Sequence, residues 1–424
     1  MHKLTLKTFL SALFYAILLV GITMELIVTA GQVIGGYNLS YVNGTTSGFI
    51  EFSLCLAICM PVLLHLLLKL LCRKRHRTWS RVGGVIIFLY LLGIAAIMIA
   101  SKSRASWVAA IVGCAIVGYC HLSARRGLRL DLWHKLILLL LPFLLAVAFY
   151  SIKKDSADGR MLIWKVTLRE VVSGNVTLLP REENFSAFLG DAQERYFSSA
   201  ERPWEEQRLA GAPDDAYNEY LQILVEDGLV VFVVVILLLL FVVWVLWKSK
   251  DNLKVPLAGS FASITILSFF SYPLRCPTSL TLILFVLATC CCVAICKERA
   301  RVVSLCVAYI GLAIWFIYKF QTDQRLERAI DQSRHIEVLC ISKVTDNLLC
   351  CYQNLYPFLN DRPEYLLAYS KALLENKDYD RCNMIINQAK PLSGDPVFHI
   401  VQGKCMEQQK LYSKAEALYL RRTP

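Results

Sequence analysis

No Cys-x-x-Cys pair occurs anywhere in this sequence, which removes the two-cysteine signatures of zinc ribbons and thioredoxin-like redox sites. Histidine is nearly as sparse. None stands between His134 and His335, so that whole stretch lacks an imidazole to act as a base. Charged residues make up only 18% of the chain, and the connection 35–48 carries none. What charge there is has an excess of twelve positives. The basic residues are clustered between apolar runs, the pattern of loops held against a membrane face, and this argues against nucleic acid as a partner.

Apolar sequence is what the chain has in abundance. Hydrophobic residues reach 56% and the mean hydropathy is +0.49, beyond what a soluble core of 424 residues requires. Many of the sixteen cysteines lie inside apolar runs, among them Cys55, Cys59, Cys114, Cys120 and Cys290, where Cys acts as a small hydrophobe. Five more, Cys340, Cys350, Cys351, Cys382 and Cys405, lie in the C-terminal tail. Their odd number and irregular spacing assign no disulfide framework.

A membrane span needs roughly 20 mostly apolar residues. Nine segments approach this: 9–34, 49–71, 83–100, 105–121, 136–152, 228–247, 255–273, 279–296 and 302–319. The run from Phe9 is too long for a signal-peptide core of roughly 7–15 residues, which favours a retained helix. The expected fold class is therefore all-α, a polytopic transmembrane bundle with a C-terminal helical-repeat domain. Its expected segments are a five-span bundle (1–152), a large loop (153–227), a four-span bundle (228–320) and a soluble tail (321–424).

Alternate connections are basic. Lys3 and Lys7 precede the first span. Arg73, Lys74, Arg75 and Arg77 follow the second; Arg125, Arg126, Arg129 and Lys135 follow the fourth. Lys248, Lys250 and Lys254, then Lys297, Arg299 and Arg301, continue the alternation. With nine spans all of these fall on one side, which the positive-inside rule makes cytoplasmic. The loop and the tail then share the other side.

The tail reads as amphipathic helices over 364–375, 378–390, 395–409 and 411–420. Asp378-Tyr379 is followed 33 residues later by Leu411-Tyr412, and Cys382 by Ala415. A helix–turn–helix unit of about 34 residues is the tetratricopeptide period. Leu373, Tyr379, Ala389, Tyr412 and Ala415 are the expected packing residues. An ordinary pair of helical hairpins is the plainer alternative.

Candidate chemistry lies where charge is rare. Arg104, Arg160 and Arg275 are isolated positives on the expected outer side. Their planar forks match phosphate oxygens, although helix-end anchoring is an equally simple role. Glu25 lies within the first span, and an intramembrane carboxylate is a functional candidate by default. Asp214-Asp215-Ala216-Tyr217-Asn218-Glu219 precedes the sixth span. Asp215 or Glu219 would suit a general base, and Asp214 or Asp215 would equally suit a helix N-cap.

Taken together, Lys102-Ser103-Arg104-Ala105-Ser106-Trp107, Gly159-Arg160-Met161-Leu162-Ile163-Trp164-Lys165, Asp191-Ala192-Gln193-Glu194-Arg195-Tyr196-Phe197 and Ala216-Tyr217-Asn218-Glu219-Tyr220-Leu221-Gln222 resemble the O-antigen ligase and polymerase superfamily. The resemblance runs in order over roughly 25–290, and the version with a tetratricopeptide tail is Bacteroides-type. Gly44-Thr45-Thr46-Ser47-Gly48-Phe49 is similar to a further family turn. The resemblance implies transfer of a glycan from undecaprenyl pyrophosphate to a hydroxyl at the periplasmic face of the inner membrane. The acceptor would be a glycan, lipid A core or a protein, with membrane lipids around it and no cofactor or metal. It implies Arg104 and Arg160 as pyrophosphate contacts, with Arg275 by position. Where better-known ligases have His-Asn, this chain has Tyr217-Asn218, which leaves Glu219 or Asp215 as the base. Nine spans against a usual dozen imply a chain clipped at its ends. The alternative is a non-catalytic membrane protein whose tail docks envelope-assembly partners.

Overall fold

The computed structural model describes residues 6–44, 46, 48–72, 77–126, 132–150, 154–199, 201–293, 298–340 and 346–420. Thr45 and Ser47 of the glycine-flanked turn lie outside these, as do Lys3, Arg73, Lys74, Arg75, Arg129 and Lys297 of the basic connections. Among the described residues every regular element is helical. The first five helices are α1 (Leu6–Ile34), α2 (Phe49–Leu71), α3 (Arg77–Ser101), α4 (Arg104–Arg126) and α5 (Leu132–Ala148). The loop contains α6 (Lys154–Val172), α7 (Phe185–Ser198), α8 (Trp204–Leu209) and α9 (Glu219–Glu226). Then come α10 (Gly228–Lys248), α11 (Lys254–Phe270), α12 (Pro277–Val293) and the 43-residue α13 (Glu298–Cys340). The tail ends with α14 (Asp346–Leu359), α15 (Pro363–Glu375), α16 (Tyr379–Ala389), α17 (Val397–Gln408) and α18 (Tyr412–Leu420).

Five described helices are long and apolar enough to cross a membrane: Ser11–Ile34, Phe49–Leu71, Ser80–Ser101, Arg104–Arg125 and Gly228–Lys248. The expected spans 255–273 and 279–296 correspond to α11 and α12, apolar helices of 17 residues each. The strongest sign of a non-aqueous surrounding is α10. Only 17% of its span is buried within the chain, so Leu237, Leu240, Phe241 and Trp244 point outward. A helix apolar on every side must find an apolar solvent, and hydrocarbon is one.

The chain divides into two compact units, 1–152 with 235–317, and 153–234 with 318–424. The first has a core of Phe14, Phe52, Ile58, Leu63, Ile94 and Leu257. In it α4 and α11 approach closely because Gly113 and Gly259 oppose each other. A Cβ on Gly113 would lie 2.7 Å from the Gly259 carbonyl oxygen and 2.6 Å from Pro61 of α2. Ser263 Oγ donates to the Ala109 carbonyl at 2.9 Å, and Ser260 Oγ to that of Ile58 at 2.7 Å. Small and hydroxyl residues at a crossing let apolar helices approach where no hydrophobic force pushes them together. His65 of α2 and His121 of α4 are hydrogen-bonded at 3.0 Å, a half-buried polar tie the sequence did not signal.

In the second unit the loop and the tail pack together. Asn184 N donates to the Pro391 carbonyl at 2.9 Å, and Gly394 N to Ser186 Oγ at 3.3 Å. The joint depends on two glycines. A Cβ on Gly190 would meet Gly394 Cα at 2.7 Å, and one on Gly394 would meet the Ser186 carbonyl oxygen at 2.3 Å.

The tail's two turns repeat one geometry at a 33-residue interval. Lys377 and Lys410 both adopt left-handed φ, 64° and 61°. Asn376, Lys377 and Asp378 donate to Ala372, Leu374 and Leu373; Gln409, Lys410 and Leu411 donate to Cys405, Glu407 and Met406. Each donor and acceptor is displaced by the same interval. Leu373, Ala389 and Ala415 are buried as packing residues, whereas Tyr412 is 64% exposed and does not interlock.

Candidate functional site

The segment 214–219 is held by one face of α6. Arg160 and Trp164 lie one turn apart there and project the same way. Trp164 Nε1 donates to the Ala216 carbonyl at 2.8 Å. The Arg160 guanidinium carbon sits 4.6 Å from the centre of the Tyr217 ring, a cation–π arrangement. Two residues from separate sequence motifs thus meet.

Tyr217 has φ +52°, a left-handed conformation that costs a non-glycine residue about 1–3 kcal/mol. Its neighbours hold it there. Ala216 N donates to Gln222 Oε1 at 2.9 Å, and Gln222 Nε2 reaches the Asp214 carbonyl at 3.4 Å. Asn218 Oδ1 accepts from Tyr220 N at 3.0 Å and Leu221 N at 3.2 Å, so Asn218 is the N-cap of α9. The cap expected at Asp214 or Asp215 is displaced, because a helix cannot start before the left-handed Tyr217. Glu226 Oε1 closes the network by accepting from Phe185 N at 2.6 Å and from Gln222 Nε2 at 3.4 Å. Ala216, Asn218, Glu219 and Gln222 are all buried. Asn218→Ala is expected to cost about 1 kcal/mol through the lost cap, read as a lower unfolding midpoint of the full chain in detergent.

Of the two carboxylates expected as bases, Glu219 is 1% exposed, whereas Asp215 is partly exposed. Their neighbour Asp214 is raised from the ordinary aspartate value, first by desolvation and then by Glu364, with Arg362 opposing. Arg104 begins α4 and donates to the Phe149 and Tyr150 carbonyls at 3.3 and 3.2 Å. The residue before it in the same motif but one, Lys102, is also left-handed at φ +52°. Arg275 is exposed in the turn between α11 and α12. Arg104 and Arg275 belong to the first unit; Arg160, Asp215, Tyr217, Asn218 and Glu219 belong to the second.

Glu25 lines an apolar cavity of about 530 Å³ with Thr46, Cys55, Thr278, Thr281 and Phe285. Sequence reasoning passed over Glu51, whose buried carboxylate accepts from Thr278 N at 3.0 Å. A carboxylate at the start of α12 satisfies an orphan N–H and complements the helix dipole, a structural duty.

The loop is also braced by ion pairs. Glu170 loses from burial but gains more from Arg195 at 3.0 Å and Asn175 at 2.6 Å, so its carboxyl lies below the ordinary value. Glu206 is likewise lowered, by Lys165 at 2.7 Å and the Tyr196 hydroxyl at 2.8 Å. With folded values depressed, their stabilisation is complete above the ordinary glutamate value near 4.5 and is lost as pH falls through the folded values. Amide protection factors over 154–209, taken relative to the intrinsic exchange rate at each pH, are expected to fall between about pH 5 and pH 3.

A second cavity, of about 330 Å³, lies where loop and tail meet. Glu183, Asp191 and Glu194 line it from the loop; Lys390, Asp395 and His399 line it from the tail. The tail thus supplies an imidazole beside a loop that has none. Among the described residues no cluster of His, Cys, Asp and Glu is arranged to hold a metal. Comparison with models of known families, with curated proteins and with solved structures finds no match.

Proposed function

We propose that this chain is a membrane glycosyltransferase of the O-antigen ligase type. It moves a glycan from undecaprenyl pyrophosphate to a hydroxyl acceptor at the periplasmic face of the inner membrane. The contact of Arg160 with a strained Tyr217 carries this reading, because strain held by a buried network concentrates at functional sites. The direct packing of loop on tail supports a common side for both, and the basic connections support the opposite side as cytoplasmic. This reading keeps nine spans: the five long apolar helices, the shorter α11 and α12, and the expected spans 136–152 and 302–319.

In the reaction, the acceptor oxygen bonds to the anomeric carbon as the bond to the pyrophosphate oxygen breaks. The acceptor proton goes to a carboxylate, with Asp215 the more accessible candidate and Glu219 the buried one. Charge gathers on the departing pyrophosphate, where the positive charge of Arg160 lowers the barrier, and Arg104 and Arg275 are proposed as further pyrophosphate contacts from motif and position alone. The test is restoration of surface glycan in a ligase-null strain by the intact chain and its loss with Arg160→Ala.

The 33-residue recurrence in the tail favours a second reading, a tetratricopeptide-type platform that docks envelope-assembly proteins. Under that reading Arg160→Ala leaves partner capture by the full chain unchanged and affects no glycan.

A further inference from the structure

We propose that Cys382 and Cys405 are joined by a disulfide in the mature protein, a covalent clasp between α16 and α17. Their sulfurs lie 2.9 Å apart, closer than unbonded thiols pack and less than an ångström from the covalent length of about 2.05 Å. Both residues are fully buried in the tail core, with Leu373, Ile386 and Phe398. They come from separate helices that pack on each other, so the bond would close a genuine loop rather than link neighbours on one helix turn. The exposed pair Cys350 and Cys351, adjacent in sequence, has no such arrangement.

The bond forms by thiol–disulfide exchange with a disulfide-bearing oxidant. One cysteine thiolate attacks a sulfur of the oxidant and releases its first thiolate. The second cysteine thiolate then attacks the mixed disulfide and releases the other. The two cysteine protons pass through solvent to the released thiolates, two electrons pass to the oxidant, and it departs as a dithiol. Because both sulfurs are buried once the tail is folded, exchange occurs while it folds, and the finished bond is shielded from reductants. The proposal rests on the reading that places the tail outside the cytoplasm, where oxidants of this class persist.

The full-length protein is extracted under acid quench, alkylated in denaturant without reductant, and cleaved with trypsin. The expected result is the peptide Cys382–Lys404 linked to Cys405–Lys410, separating on reduction. Recovery of both peptides individually alkylated overturns the proposal. In parallel, spheroplasts are treated with a membrane-impermeant maleimide that scores the exposed Cys350 and Cys351. Labelling there with Cys382 and Cys405 free means the pairing is wrong and the outer placement stands. No labelling with the pair free means the placement is wrong and the bond falls with it.

Discussion

Replacing Arg160 by alanine is expected to lower glycan transfer by about 10²–10³-fold, the usual consequence of losing one group that stabilises developing negative charge. The reason lies in how Arg160 is held. It is carried on α6, one turn before Trp164, whose indole is fixed to the Ala216 carbonyl. The Tyr217 ring beneath the guanidinium sets its position at little entropic cost. Arg160→Lys keeps the charge but loses the planar fork and the stacked face, so it is expected to recover only part of the rate. The measurement is transfer from a pyrophosphate-linked donor by purified full-length protein, with the unfolding midpoint of each variant as control. Equal transfer by Arg160→Ala and the parent removes this residue from the reaction.

Gly394→Val is expected to open the joint between loop and tail. Its Cβ would fall 2.3 Å from the Ser186 carbonyl oxygen and 2.8 Å from Gly190 Cα, so the obstacle is backbone that cannot rotate away. Overpacking typically costs about 1–3 kcal/mol. A cost of about 2 kcal/mol raises the open population by about 30-fold. Separation also breaks the hydrogen bond from the Asn184 amide to the Pro391 carbonyl. Limited proteolysis of the full chain in detergent should show faster cutting in 184–212 and 390–396. Gly211→Val is the control, since nothing lies within 4 Å of its added Cβ, and it should leave the cutting rate unchanged. Equal rates for the two variants would mean loop and tail do not depend on this contact.

The helices were legible where periodicity and length agreed. Apolar runs locate α1, α2, α3, α4 and α10, and the recurrence of Asp378-Tyr379 in Leu411-Tyr412 locates two turns that share one hydrogen-bond pattern. The joint between loop and tail was not legible. Gly394 lies in Pro391-Leu392-Ser393-Gly394-Asp395-Pro396, which reads as an ordinary turn, and its hydrogen-bond partner Ser186 stands 208 residues away in sequence. No local signal announces a contact of that kind. The start of α9 was misplaced for a related reason. Asp214 and Asp215 are good caps by residue type, but the left-handed backbone of Tyr217 moves the helix start to Asn218. Glu51 escaped notice because its only distinction is its three-dimensional neighbour, the first turn of α12. Arg160 and Tyr217 were each singled out, yet their contact follows only from the packing of α6 on this turn.

Transfer from a lipid-linked donor is tested most directly by the donor pool in cells that lack the chain, because this needs no knowledge of the acceptor. Under the proposed function, removing the gene, or replacing it with the Arg160→Ala form, leaves glycan accumulating on undecaprenyl pyrophosphate while the matching surface glycan disappears. An unchanged lipid-linked pool with intact surface glycan would contradict it.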